Sequence, residues 1–298
     1  MEFAKAVVLT IAALSLSSAA SAADLTGTLK KIKETGAISM GVRESSVPFS
    51  YYDENQHTVG YSQDIALRIV SAIKEAVGRN DLQVKMMPIT SQNRIPLVQN
   101  GTIDFECGST ANTMARHSQV AFSNGIFIYG IRMITRAGSV IKDYPDLAGK
   151  TVVSTAGTTD ELMLRKMNAE KKLNMSIISA QDHSQAFQNV VDGRAVAFVM
   201  DDPILYGERA KAKNPNDFAI VGTAPVTETY ACMLRKDDPA FKKVLDDTIA
   251  HMQTSGDAEK LYNKWFVSPI PPKGINLDYP LSAEMRLMFS NPNDKALD

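Results

Sequence analysis

Ile89-Thr90-Ser91-Gln92-Asn93-Arg94-Ile95-Pro96-Leu97-Val98-Gln99-Asn100-Gly101-Thr102-Ile103-Asp104-Phe105-Glu106-Cys107-Gly108-Ser109-Thr110 carries a whole strand-to-strand connection. Residues 83–88, just before it, read as a strand, and a turn rich in Thr, Ser and Asn follows. A short helix over 93–100 ends at Gly101, a residue type suited to a left-handed helix stop. Residues 102–107 read as the next strand, which Gly108-Ser109-Thr110 breaks. The unit is therefore βαβ, with Arg94 at a helix start and Ser109 at a strand end. In open α/β sheets, ligands sit outside the carboxyl ends of the strands. An arginine there offers a planar fork of donors that matches a carboxylate. Taken alone, an arginine at a loop edge is more often simply solvated.

The same alternation recurs on both sides of this unit. Residues 30–35 read as the end of a helix stopped by Gly36, and 37–42 as a strand with Arg43 at its carboxyl end. Residues 51–61 read as a hairpin. Over 63–77, Ile65, Ile69, Ala72, Ile73 and Ala76 share one helical face. A long β-type run over 126–135 is broken only by Gly130. A second series follows, with strands at 151–154, 176–180 and 195–200 between helices at 160–174 and 182–192. The apolar run 195–200 fits a buried parallel strand. Asp201-Asp202-Pro203 ends it and opens another helix, with Pro203 in the first turn and Asp202 as a cap. A strand at 229–235 and helices at 239–254 and 257–266 complete the series, and the Pro-rich 268–273 is irregular. This order predicts an α/β protein with mainly parallel sheets.

Composition narrows the function. The chain has 298 residues, enough for two domains, and a formal net charge of −1. Lys and Arg form no run, which argues against nucleic acid or an anionic membrane as partner. Residues 1–22 read as a secretory signal peptide: Lys5 near the start, an apolar run over 6–16, then Ala20-Ser21-Ala22 before a cleavage point. No cysteine lies there to accept a lipid. The run is too short to span a bilayer, so the mature protein is expected to be soluble and periplasmic. Cys107 and Cys232 are the only cysteines. Export permits a disulfide, but spacing alone does not show that they meet, and two small buried residues remain the plain alternative.

Thr90, Arg94-Ile95-Pro96, Leu97, Gly101 and Asp104 together resemble the signature of the polar amino-acid-binding proteins that serve ABC importers, the bacterial solute-binding proteins of family 3. Arg43-Glu44-Ser45-Ser46-Val47-Pro48-Phe49-Ser50-Tyr51-Tyr52-Asp53 extends the likeness. So do Gly193-Arg194-Ala195-Val196-Ala197-Phe198 and the tail Pro292-Asn293-Asp294-Lys295-Ala296-Leu297. It runs from about residue 25 to the C-terminus. The resemblance implies a two-lobe, type II periplasmic-binding-protein fold, with two mainly parallel sheets joined by two hinge crossings. Lobe one would hold 23–129 and 227–298, and lobe two 130–226. It also implies a monomeric receptor that captures L-glutamate or L-aspartate and delivers it to the permease subunits of an importer. A Cys107–Cys232 disulfide is expected, since both residues fall on strands of lobe one.

An acidic amino acid carries two carboxylates and one ammonium, and buried ions are costly unless each is paired. Arg43, Arg94 and Asp201 supply the required two cations and one anion. By resemblance, Arg94 holds the α-carboxylate with Ser109 and Thr159 as added donors, and the turn Gly157-Thr158-Thr159 aims a helix N-terminus at the same anion. Asp201 takes the ammonium. Arg43 is left for the side-chain carboxylate, with Ser91 and His183 as helpers; without the family, His183 reads as an exposed histidine at a helix end. Ala111 departs from a family pattern that often has a hydroxyl there, which bears on the preference between aspartate and glutamate. No Gly-x-Ser-x-Gly motif, no metal spacing among the histidines at 57, 117, 183 and 251, and no Walker loop is present. No catalytic residue, metal or cofactor is therefore expected. The enzyme alternative is a periplasmic dehydratase on the same fold, with Glu106 and His183 as its acid and base. A sensor module is a third reading.

Overall fold

The structure is a computed structural model and describes residues 25–297. The signal peptide expected at 1–22 lies outside the described residues. The first part of the chain forms α1 (Gly27–Thr35), β1 (Ala37–Val42), β2 (Ser45–Ser46), β3 (Ser50–Tyr52), β4 (Thr58–Val59), α2 (Tyr61–Val77) and β5 (Gln83–Pro88). It continues through α3 (Arg94–Gln99), β6 (Phe105–Glu106), β7 (Ala111–Asn112) and α4 (Met114–His117). A sixteen-residue strand, β8 (Ala121–Arg136), leads out of it. The second part holds β9 (Thr151–Thr155), α5 (Thr159–Glu170), β10 (Ser176–Ala180), α6 (His183–Val191), β11 (Ala197–Asp201), α7 (Asp202–Lys211) and β12 (Phe218–Val221). Then β13 (Thr227–Leu234) leads back, and α8 (Pro239–Thr254), α9 (Asp257–Phe266) and α10 (Ala283–Ser290) follow.

Local chemistry sets these boundaries. Gly36 and Gly78 end α1 and α2 in the left-handed conformation, with φ of 67° and 68°. Asp182 caps α6 by accepting the Gln185 N–H at 2.9 Å, and Asp238 caps α8 through the Phe241 N–H. One face of α2 buries Ile65, Ile69, Val70, Ile73 and Val77 in the core, packed chiefly against α8 and α1. Phe49, Tyr61, Phe127, Tyr262 and Phe266 form a buried aromatic group, with Tyr262 and Phe266 stacked at 4.4 Å.

The strand order is β10-β9-β11-β8-β13-β6-β1-β5, with β12 also on β8 and β7 also on β13. The parallel pairs lie on the two flanks: β1 with β5 and β6, β9 with β10 and β11. At the centre everything is antiparallel. β8 pairs with β13 up to Gly130, opposite Thr227, and with β11 from Ile131, opposite Asp201. The two expected sheets are thus two half-sheets made continuous by the two long crossing strands, and the whole is mixed. Gly130 sits at the change of partner, where an added Cβ would meet Ala224 Cβ at 2.6 Å.

Several expected elements change length. The strand read at 102–107 shrinks to Phe105–Glu106, because the Asp104 carboxylate, three residues after Gly101 with its φ of 76°, is drawn to Lys31 Nζ and the Ser39 N–H instead. The helix read to 174 stops at Glu170, and Lys172 and Asn174 take positive φ. β12 and α10 went unread.

Cys107 and Cys232 are bonded, as expected, with both residues buried. The bond closes a separation of 125 residues and ties the end of β6 to β13. Its removal by Cys107→Ser with Cys232→Ser is expected to cost about 2–4 kcal/mol. Calorimetric melting of that variant beside the wild type checks this, and an unchanged melting temperature would show the bond to be dispensable.

Candidate functional site

Arg43 follows β1, and its backbone N–H donates to Ser50 Oγ at 2.9 Å. Its side chain is buried. Nη2 lies 3.4 Å from His183 Nε2, and Nη1 has no partner. An arginine only donates, so Nε2 of His183 is the acceptor and its Nδ1 carries the proton. That proton reaches Thr155 Oγ1 at 2.9 Å. Burial, then the Arg43 charge, holds the imidazole well below its ordinary pKa, so His183 is neutral. His183, expected as a helper of Arg43 and exposed only on the reading without the family, is wholly buried.

Arg94 opens α3 and is also buried. Its Nη1 donates to the Ser109 carbonyl at 2.9 Å and to Thr110 Oγ1, while Nε has no partner. The Thr110 hydroxyl in turn donates to Glu106 Oε1. Burial, then the nearby Arg116 charge, pulls Arg94 down to about 9. Ser109 Oγ meets Ser46 Oγ at 3.3 Å, and Ser91 Oγ is buried without a partner.

From the other half-sheet, Asp201 ends β11. The Tyr230 hydroxyl donates to its Oδ2, and its carboxyl also meets that of Asp160. Burial, then the neighbouring Asp160, raises the Asp201 pKa well above the carboxylate range. Asp160 itself is pushed up to about 7 by burial and by Glu228. Glu228 accepts from the hydroxyls of Tyr129 and, at 2.7 Å, Thr159. Thr159, at the start of α5, is therefore placed against Glu228. Gly157, with φ of 79°, lets the preceding turn approach the first half: a Cβ there would lie 2.9 Å from the Gln92 backbone.

Of the seven residues singled out from sequence, a contact joins Arg43 to His183 across the two half-sheets and another joins Arg94 to Ser109 within the first. Thr159 instead meets Glu228, Asp201 meets Tyr230, and Ser91 Oγ meets none of the others. Sequence reasoning did not assign Thr110, Thr155, Asp160, Glu228, Tyr129 or Tyr230 to the site. Glu106 was considered only as an acid for dehydration. Asp202 was read as a cap; instead it is the first residue of α7, and its carboxylate accepts from elsewhere in the fold. Among the described residues, no group of three or more His, Cys, Asp or Glu is arranged to hold a metal ion.

Among the described residues, the buried side-chain polar atoms without a hydrogen-bond partner include Arg43 Nη1, Arg94 Nε and Ser91 Oγ. Buried groups of this kind are normally satisfied.

The family model for bacterial extracellular solute-binding proteins, family 3, matches residues 38–268. The glutamate/aspartate import solute-binding protein of Salmonella typhimurium is 59% identical over 91% of this chain and 90% of its own length. The protein of that name from Escherichia coli K12 is 57% identical over 97% of each chain. Among solved structures, an ancestral arginine-binding protein bound to arginine superposes with a TM-score of 0.70 at 28% identity, covering 78% of this chain and 98% of that one.

Proposed function

The chain belongs to the bacterial extracellular solute-binding proteins of family 3, and from this premise we propose that it captures L-glutamate or L-aspartate outside the cytoplasmic membrane and hands it to an ABC importer. The observation that supports this reading is the pair of buried arginines, Arg43 and Arg94, each of which keeps a nitrogen without a partner. Arg94, with Ser109, takes the α-carboxylate, and Thr159 joins them when its hydroxyl turns from Glu228. Asp201 takes the ammonium, whose charge favours the carboxylate form that burial and Asp160 otherwise disfavour. Arg43, with Ser91 and His183, takes the side-chain carboxylate. The protein acts as a monomer and its leader is removed after Ala22.

It is a transport receptor and not an enzyme. The dehydratase alternative would need a free acid or base. Both ring nitrogens of His183 are engaged and it is held neutral, whereas Glu106 is held by Thr110 at Oε1 alone and keeps Oε2 without a partner. The names of the relatives point to a receptor.

Lobe one comprises 23–129 and 227–298, and lobe two 130–226, with the hinge in β8 and β13 near Gly130 and Val226. Arg43, Ser91, Arg94 and Ser109 lie in one lobe; Thr159, His183 and Asp201 lie in the other. A ligand that touches both sets binds fully only when the lobes meet, so binding shifts the population to the closed form. Small-angle X-ray scattering is expected to show a smaller radius of gyration with glutamate. Titration calorimetry with glutamate, aspartate, glutamine and asparagine is expected to favour the two acids. An unchanged radius at calorimetric saturation would count against hinge closure, and no heat with either acid would sink the ligand assignment.

A further inference from the structure

Two consecutive acids open α7 and face different surroundings. Asp201 meets the Tyr230 hydroxyl and lies among the residues of the site. Asp202 has both of its oxygens engaged. Oδ1 accepts the Gly130 N–H at 3.3 Å, and Oδ2 accepts the Tyr279 hydroxyl at 3.1 Å. It is therefore no ligand contact.

Its two partners belong to separate parts of the fold. Gly130 is the last residue of β8 that pairs with β13, and the next residue, Ile131, already pairs with Asp201. Asp202 thus grips the backbone at the point where the crossing strand changes partner. Tyr279 lies on the connection from α9 to α10. Its N–H donates to the Phe266 carbonyl at 3.0 Å, and its own carbonyl accepts from the Tyr262 hydroxyl at 3.2 Å. Tyr262 and Phe266 are core residues of the first part. From that anchor, the Tyr279 ring packs edge-on against Tyr206 of α7, with centroids 5.0 Å apart. The connection after α9 therefore reaches across to α7 and holds its first residue by a hydroxyl and its second turn by a ring.

We propose that Asp202 is a positioning residue, which with Gly130 and Tyr279 latches α7 in the closed form and so sets Asp201 on the ammonium of the ligand. The latch rests on the receptor reading above for its closed and open forms. Because Tyr279 is anchored on α9 while its hydroxyl and ring engage α7, the latch is expected to act on ligand release. Neither Tyr279 nor Asp202 touches the ligand, and the effect is blind to the ligand's side chain.

The test uses Tyr279→Phe, Asp202→Asn and the double variant, by stopped-flow binding and calorimetry with glutamate and aspartate. Loss of one hydrogen bond of this kind corresponds to about a tenfold change. Tyr279→Phe is expected to speed dissociation by about tenfold, equally for both ligands, with the association rate nearly unchanged. The double variant is expected to be little worse than either single one, because the two side chains act through one contact. A purely structural role would lower the melting temperature without changing dissociation, and that result overturns the proposal, as do fully additive effects. If the wild type bound neither acid, the receptor reading would fail first. Amide exchange at Gly130 still reads the latch in ligand-free protein: faster exchange in the variants supports it, and equal exchange overturns it.

Discussion

Arg94→Ala is expected to weaken every amino-acid ligand by roughly 30-fold to several thousandfold, whatever its side chain. The reason is that the α-carboxylate is common to them all. Nη1 of Arg94 is held by the Ser109 carbonyl and Thr110, which fixes the plane of the guanidinium and leaves Nε unpartnered. A planar fork fixed in this way recognises a carboxylate at little cost in side-chain entropy. Truncating one member of a buried charge pair costs about 2–5 kcal/mol, and each 1.4 kcal/mol is about tenfold in affinity. The ligand-free fold should tolerate the change better than the complex does, since burial and Arg116 already disfavour this cation. Calorimetry on the folded variant checks the prediction. Wild-type affinity for glutamate would remove Arg94 from the site.

The parts of the fold with local punctuation were readable from sequence. Gly36 ends a helix where a left-handed residue is needed, and Gly78 does the same for α2. The βαβ unit around Arg94 emerged because turn residues, a short helix and a glycine stop follow one another within twenty-two residues. What failed to show has a physical reason. Glu106, Asp160 and Glu228 are far apart in sequence, and an acid on a strand or in a first helical turn reads as solvated. Only the pairing of β8 with β13, which sets Glu228 opposite Tyr129, brings that carboxylate under Thr159. β12 has four residues and forms an edge on β8, too short for its pattern to speak. The crossings themselves left no periodic trace; the resemblance supplied them. Asp202 was read by its local position as a cap, and its actual partners lie 72 and 77 residues away.

Arg43→Ala is expected to separate glutamate from glutamine. The two ligands share shape, ammonium and α-carboxylate, and differ in one charge. Arg43 is buried with a neutral histidine at Nη2 and nothing at Nη1, so within the ligand-free fold no carboxylate pairs with it directly. Burial is the largest influence on it and lowers its pKa, with Glu106 the largest opposing one. A carboxylate on the ligand's side chain supplies the missing counter-ion in a place that water does not reach, where ion pairs are strongest. Glutamate is expected to lose about 2–5 kcal/mol of binding in the variant. Glutamine, which offers only a neutral oxygen to the same fork, is expected to lose about 0.5–1.5 kcal/mol. The preference for the acid should therefore fall by roughly tenfold or more. Calorimetric titration of both ligands into wild type and variant gives the ratio directly. Equal losses would place Arg43 on a group that the two ligands share, or make it a support of the fold, and the side-chain carboxylate would need another cation, for which Arg116 is the remaining buried candidate.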